Sequence, residues 1–296
     1  MRNLNESNIT DEVLRRLVNT PNPRLKEIMG SLIRHLHAFA REVKLTEQEW
    51  LEGIGFLTRT GQACHGQRQE FILLSDTLGL SQLVVAQSHS RSHELTEQTV
   101  FGPFHVPNAP KLDSHGGDIG NNASGEPCFV AARVTAADGT PLANAAVDVW
   151  QADAEGFYDV QDPNWRPDNT KLRAVFETDP DGRFSFWTIM PKSYPIPTDG
   201  PVGEMMRATN RHPMRPAHIH FMVNKPGYDA LVTHVFVDGD EYLDSDAVFG
   251  VRSSCIGNYV RHPAGTAPDG RKMSVPFYAL DYTFKLETLP QLAMAS

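Results

Sequence analysis

Two hydrophobic rhythms divide this chain. In the first third, Leu25, Ile28, Met29, Leu32, Ile33, Leu36, Phe39 and Val43 recur at steps of three and four, the spacing of one helix face. Asn22 stands where an N-cap would, with Pro23 at the first helical position, where a missing N–H costs nothing. Thr46 and Glu49 fit a capping box, which opens a second helix carrying Trp50, Ile54 and Leu57. The pattern predicts a short helix over 10–19 and one or two more over 69–90. After about residue 105 the rhythm shortens to β-prone runs at 129–134, 145–150, 183–187, 218–223, 232–237 and 279–286. Asp138-Gly139, Asp181-Gly182, Pro226-Gly227 and Asp238-Gly239 separate them, as turns do.

Proline sharpens the division. Of 21 prolines, only Pro21 and Pro23 lie in the first 100 residues. Helix interiors exclude proline, whereas loop-rich β structure tolerates it. The expectation is an α+β protein: a helical domain over 1–104, then an antiparallel β-sandwich over 105–296. A linker rich in Gly, Asn and Pro is expected over 104–125.

Composition narrows the function classes. The chain has 296 residues, 40% hydrophobic and 21% charged, which is ordinary globular content. A net charge of -9 gives no ground for a nucleic-acid partner. There is no run of about 18 apolar residues, so no membrane span is expected. The first residues lack the apolar core of a signal peptide. Cys64, Cys128 and Cys255 are too few and too scattered for a disulfide framework or a cysteine zinc site. A cytoplasmic location is the expectation.

The strongest chemical motif is Arg215-Pro216-Ala217-His218-Ile219-His220. Pro216 biases Arg215 toward extended backbone, and a strand follows. Residues i and i+2 of a strand share a face, so His218 and His220 can bind one metal. A solvated strand face would carry the same pair. His35-Leu36-His37 has the same spacing, but two helical steps rotate about 200°, so those rings diverge on a helix surface. Tyr158 follows a β run, and Tyr194 sits in the rigid loop Tyr194-Pro195-Ile196-Pro197. A phenolate is a hard anionic ligand suited to a highly charged ion such as Fe(III). Two other readings use the same residues less fully: a non-catalytic β-sandwich binding protein, and a zinc hydrolase built on the His pair.

Gly156-Phe157-Tyr158 after Trp150-Gln151-Ala152, the later Tyr194-Pro195-Ile196-Pro197, and the Arg215–His220 motif together resemble the intradiol ring-cleavage dioxygenases. The resemblance spans nearly the whole chain. It implies one non-haem Fe(III) per subunit, held by Tyr158, Tyr194, His218 and His220. It implies an aromatic diol or triol and O2 as substrates. Tyr194 would leave the metal and take a proton when substrate binds, and Arg215 would stabilise charge developing on the ring. His234 matches a position where related catechol enzymes carry glutamine. The helical domain would build a homodimer, with a phospholipid in a tunnel at the interface.

By the same resemblance the substrate pocket draws on Leu73, Asp76, Val100, Phe101, Gly102, Pro103, Phe104, Ile196, Pro197, Arg215, His234 and Val248. Asp76 is the informative member, because catechol-cleaving relatives carry an apolar or small residue there. A carboxylate can accept a hydrogen bond from a third ring hydroxyl. A substrate lacking that hydroxyl leaves it unpaired, at about 1–3 kcal/mol. The bland role for Asp76 is to cap a helix beginning near Thr77. The wording around Tyr158 also resembles the hydroxyquinol-cleaving branch. The expected reaction is thus ortho cleavage of hydroxyquinol to 3-hydroxy-cis,cis-muconate or maleylacetate. Catechol cleavage to cis,cis-muconate stands second.

Overall fold

The computed structural model describes residues 3–66, 68–89 and 94–289. Contacts group the chain into two compact units, Met1–Arg59 and Thr60–Ser296. The first holds α1 (Ile9–Arg16), α2 (Pro23–Glu42) and most of α3 (Glu47–Gln62). Both expected starts are present. Leu25 N–H donates to Asn22 Oδ1 at 3.0 Å. Thr46 N–H donates to Glu49 Oε2 at 2.9 Å, and Glu49 N–H donates back to Thr46 Oγ1 at 3.3 Å. Arg41 fastens α2 to the first helix by donating to Glu6 O and Thr10 Oγ1. The apolar stripe Leu25, Ile28, Leu32, Leu36 and Phe39 is nonetheless exposed, Leu36 to 54%. His35 is exposed and His37 bonds Thr10, so this H-x-H pair is divided between two environments.

The second unit contains α4 (Glu70–Thr77) and α5 (Leu80–Ser88). No single helix among the described residues is long and apolar enough to cross a membrane. The pair α4 and α5 has the length and composition, but bends by 78° at its junction. Next come β1 (Gly117–Asp118), β2 (Pro127–Ala136), β3 (Ala146–Trp150), β4 (Arg173–Glu177), β5 (Arg183–Ile189) and β6 (Tyr194–Pro195). Helix α6 (Pro201–Ala208) precedes β7 (Met214–Arg215), β8 (His218–Asn224), β9 (Leu231–Val237) and β10 (Ile256–Gly257). The chain ends with β11 (Val260–His262), β12 (Gly265–Thr266), β13 (Lys272–Met273) and β14 (Phe277–Leu286).

Two five-stranded sheets, β1-β5-β2-β14-β11 and β10-β9-β8-β3-β4, form the sandwich. Val130, Val134, Phe184 and Phe186 of one sheet share a core with Val147, Val149, Ile219, Phe221 and Val235 of the other. Strand alternation therefore sends Ile219, Phe221 and Val223 inward and turns His218 and His220 to the outer face. Pairing is antiparallel, as expected, for β2–β5, β3–β4, β3–β8, β8–β9 and β11–β14, but not throughout. β14 runs parallel to β2 from Tyr278↔Cys128 to Leu286↔Ala136, and the short β1 and β10 also pair in parallel. β4 and α6 were not expected either.

Helix α4 is welded to the segment that carries Tyr194. Glu70, 1% exposed, accepts from Val202 N–H at 3.1 Å and so caps α6 from a distant part of the chain. Arg68 pairs with Glu70 and reaches Asp199 at 2.8 Å. Arg211 Nη1 donates to Thr77 O at 2.7 Å. Helix α4 ends at Thr77, and Gly79 is the N-cap of α5. Asp76 thus caps no helix beginning at Thr77, because it lies within the last turn of α4.

Candidate active site

Each donor is placed by its own local device. His218 and His220 are two residues apart on β8, and His234 faces His220 across the β8–β9 ladder. Trp150 stacks on the His220 ring, centroids 4.7 Å apart. Tyr158 is delivered by a loop closed on Asp153, whose Oδ1 accepts from Glu155 and Phe157 N–H. Gly156 has φ +89, and a Cβ on it would fall 2.5 Å from Tyr194 Cβ. Glycine is thus required there by both conformation and space. The β6–β7 ladder sets Tyr194 opposite Arg215.

Together these devices make a closed circuit of donor atoms. Tyr158 Oη lies 3.0 Å from Tyr194 Oη and 2.8 Å from His220 Nε2. His218 Nε2 lies 3.2 Å from His220 Nε2 and 3.4 Å from Tyr194 Oη. Such edges are what donors held at about 2 Å from one ion present to each other. His218 Nδ1 donates to Pro216 O at 2.6 Å, which leaves the lone pair on Nε2, directed into the circuit.

Burial sets the protonation. All four residues are at most 5% exposed. Burial, then Arg215, draws His218 down to about 3. Burial, then His218, pushes His220 well below its ordinary value. Both are neutral imidazoles, the ligating form. Burial, then Tyr194, raises the Tyr158 phenol well above its ordinary value. Burial also raises Tyr194, against the pull of Arg215. These phenols keep their protons unless a cation displaces them. The site fits a metal ion. A second donor set overlaps it, because nitrogens of His218, His220 and His234 all lie within 4.8 Å of one another. However, His234 Nδ1 is engaged by Thr99 Oγ1, and its buried Nε2 has no partner among the described residues.

The other expected residues separate into two groups. Arg215 Nη1 lies 3.2 Å from His218 Nε2. A Cβ on Gly102 would stand 3.3 Å from the His220 ring, and Phe104 stacks on Tyr158 at 4.6 Å. Asp76 is 5% exposed; burial raises its pKa, with Ser81 and Arg215 opposing. Val100, Ile196 and Val248 are buried. Phe101 is 43% exposed, its ring 5.9 Å from Trp150. Pro103 is exposed, and Leu73 and Pro197 are half-buried. No hydrogen bond or ring contact joins these three side chains to the donors among the described residues.

Sequence reasoning missed Asp246, which pairs with Arg215, and the buried Arg173–Asp159 pair beside Tyr158. It also missed Thr99.

Family profiles cover most of the chain: "Catechol dioxygenase N terminus" matches residues 22–96 and "Dioxygenase" residues 100–288. The chain belongs to the intradiol dioxygenase family. It is 56% identical over 286 residues to 6-chlorohydroxyquinol 1,2-dioxygenase of Cupriavidus pinatubonensis, covering 97% of this chain and 99% of that relative. Hydroxyquinol 1,2-dioxygenase of Nocardioides simplex is 52% identical over 273 residues, 92% of each chain. The crystal structure of hydroxyquinol 1,2-dioxygenase from Pseudomonas putida superposes with a TM-score of 0.89 at 49% identity, covering 96% of this chain and 99% of that one. As an intradiol dioxygenase, the protein is an oxidoreductase, and the non-catalytic sandwich reading falls.

Proposed function

We propose that this intradiol dioxygenase cleaves hydroxyquinol, benzene-1,2,4-triol, between its adjacent hydroxyl-bearing carbons. The product is 3-hydroxy-cis,cis-muconate, which tautomerises to maleylacetate. One atom of O2 enters each new carboxyl group. The observation that carries the reading is the circuit of Tyr158, Tyr194, His218 and His220 donors at 2.8 to 3.4 Å. These four would hold one Fe(III) per subunit, since two phenolates suit a highly charged ion. His234, its Nδ1 held by Thr99 and its buried Nε2 left without a partner among the described residues, is assigned to the substrate side rather than to the ligand set. The chemistry a bound Fe(III) supplies is Lewis acidity, which ionises a vicinal diol and makes its ring reactive toward O2.

The chain's own residues do the rest. Tyr194 Oη receives a proton from the diol, favoured by its burial and opposed by Arg215. Arg215 stabilises negative charge on the ring oxygens and on the developing product. Asp76 accepts a hydrogen bond from the third hydroxyl, the group that separates hydroxyquinol from catechol. Val100, Ile196 and Val248 wall the pocket and exclude water. The names of the relatives at 56% and 52% identity support this substrate.

The exposed stripe of α2, Leu25 to Phe39, supports a homodimer built through the N-terminal helices. The same apolar side chains offer contact to the acyl chains of a phospholipid.

A visible spectrum of the iron-loaded protein tests the site, and O2 uptake with hydroxyquinol tests the reaction. A tyrosinate-to-Fe(III) band is expected, altered in Tyr158→Phe and in Tyr194→Phe. A protein that stays colourless after iron loading, or an unchanged spectrum in both variants, rejects the ligand set.

A further inference from the structure

We infer that Asp246 is the positioning residue for Arg215, and that it locks the arginine and the pocket rim into one block. This rests on the role proposed for Arg215. The pair is buried, with side-chain exposures of 5% and 2%. Arg215 Nε donates to Oδ1 at 3.1 Å and Nη2 to Oδ2 at 3.3 Å. The fork is thereby filled on one side, and only Nη1 is turned to His218 Nε2, at 3.2 Å. A guanidinium gripped in this bidentate way cannot pivot.

The same carboxylate builds the turn after it. Val248 N–H donates to Oδ1 at 3.3 Å and Gly250 N–H to Oδ2 at 2.9 Å. Phe249 between them has φ +59, a left-handed backbone that an aromatic residue adopts only when its surroundings impose it. Val248, on this turn, is buried in the proposed rim. There is little slack, because a Cβ on Gly250 would stand 3.1 Å from both Arg215 Nη2 and Asp246 Oδ2.

One consequence concerns Asp76. With its fork committed to Asp246, Arg215 makes no hydrogen bond to Asp76 among the described residues. Asp76 therefore stays available to the substrate. Without the Asp246 charge, Arg215 turns toward the remaining buried carboxylate, and both charge stabilisation and triol preference suffer.

The decisive experiment is a double-mutant cycle with an independent spectroscopic arm. Asp246→Asn keeps size and an acceptor oxygen but removes the charge. It is expected to lower kcat about tenfold with little change in KM. It is also expected to lower the hydroxyquinol-to-catechol ratio of kcat/KM, while the tyrosinate band is retained. In an Arg215→Ala background the same substitution should cost much less, because only its effect on the turn remains. Gly250→Ala crowds the same pair without deleting a polar group, and serves if Asp246→Asn fails to fold. It should cause a smaller loss, likewise diminished in the Arg215→Ala background. Nitrogen-15 NMR of the arginine side chains, on protein loaded with diamagnetic Ga(III) in place of iron, should show a slowly exchanging Arg215 Nε–H that speeds up in either variant. Losses that persist undiminished without Arg215, or an unchanged Nε–H resonance, overturn the inference. If the wild-type protein cleaves no diol, the substrate reading fails, and the NMR arm still decides the pairing.

Discussion

Gly156 and Tyr194 touch so closely that a single methyl group on the glycine would lie 2.5 Å from the tyrosine Cβ. The two loops that carry the phenols are therefore set against each other by a residue with no side chain. Gly156→Ala adds that clash to an unfavourable φ of +89. Stability is expected to fall by about 1–3 kcal/mol, and iron content with it. Urea unfolding and metal analysis check this. A variant with wild-type stability and full iron would show that the loops move apart freely.

Asp76 is a buried carboxylate with a raised pKa, within the last turn of α4. Asp76→Ala should lower the hydroxyquinol-to-catechol ratio of kcat/KM about tenfold or more, the equivalent of one unpaired buried acceptor. Steady-state kinetics on both diols measure it. An unchanged ratio removes Asp76 from substrate selection.

Arg173 and Asp159 form an ion pair with side-chain exposures of 2% and 4%. Asp159 also accepts from Lys171 N–H at 3.0 Å and from Trp165 Nε1 at 3.3 Å. Arg173 Nη1 donates to Phe104 O at 3.0 Å, and Phe104 stacks on Tyr158. Arg173→Met strands the carboxylate and should destabilise the protein by about 3–5 kcal/mol. Arg173→Met with Asp159→Leu should recover part of that loss, as read by denaturant titration. Equal stability of the single and double variants would show that the isolated charge is solvated.

The stripe on α2 leaves Leu32 and Phe39 exposed at 47% and 52%. Replacing both with Glu should yield a monomer by sedimentation velocity, from a wild type that sediments as a dimer. A wild type that is already monomeric ends the dimer proposal.

Much of the site is local, and local features are legible in a sequence. His218 and His220 share a strand face by alternation alone. Gly156-Phe157-Tyr158 combines a positive-φ residue with a candidate ligand two positions on. Asn22 and the Thr46/Glu49 box mark helix starts by chemistry that reaches only three residues. The remainder depends on contacts distant in the chain. Asp246 meets Arg215 across 31 positions, and nothing in its neighbourhood distinguishes it from Asp240 or Asp244. Helix α6 contains Pro201 and Gly203, which count against a helix. Pro201 is tolerated at the first turn, and the cap comes from Glu70 in another helix. The parallel direction of β14 was invisible because alternation reports which face a residue takes, not which way its neighbour runs.

That parallel pair governs when the protein can fold. β2 has β5 on one side, but its other edge is filled only by β14, from Tyr278 to Leu286. At about 5–20 residues per second of synthesis, β2 waits on the order of ten seconds for its partner. Until then the nascent sheet presents an open edge and the apolar faces of Val130 and Val134, a template for wrong pairing. The sandwich therefore closes only once the chain has been synthesised through Leu286. Truncation within the last strand would leave every candidate ligand residue present in the sequence, while the sheet opposite β8 has lost the strand beside β2.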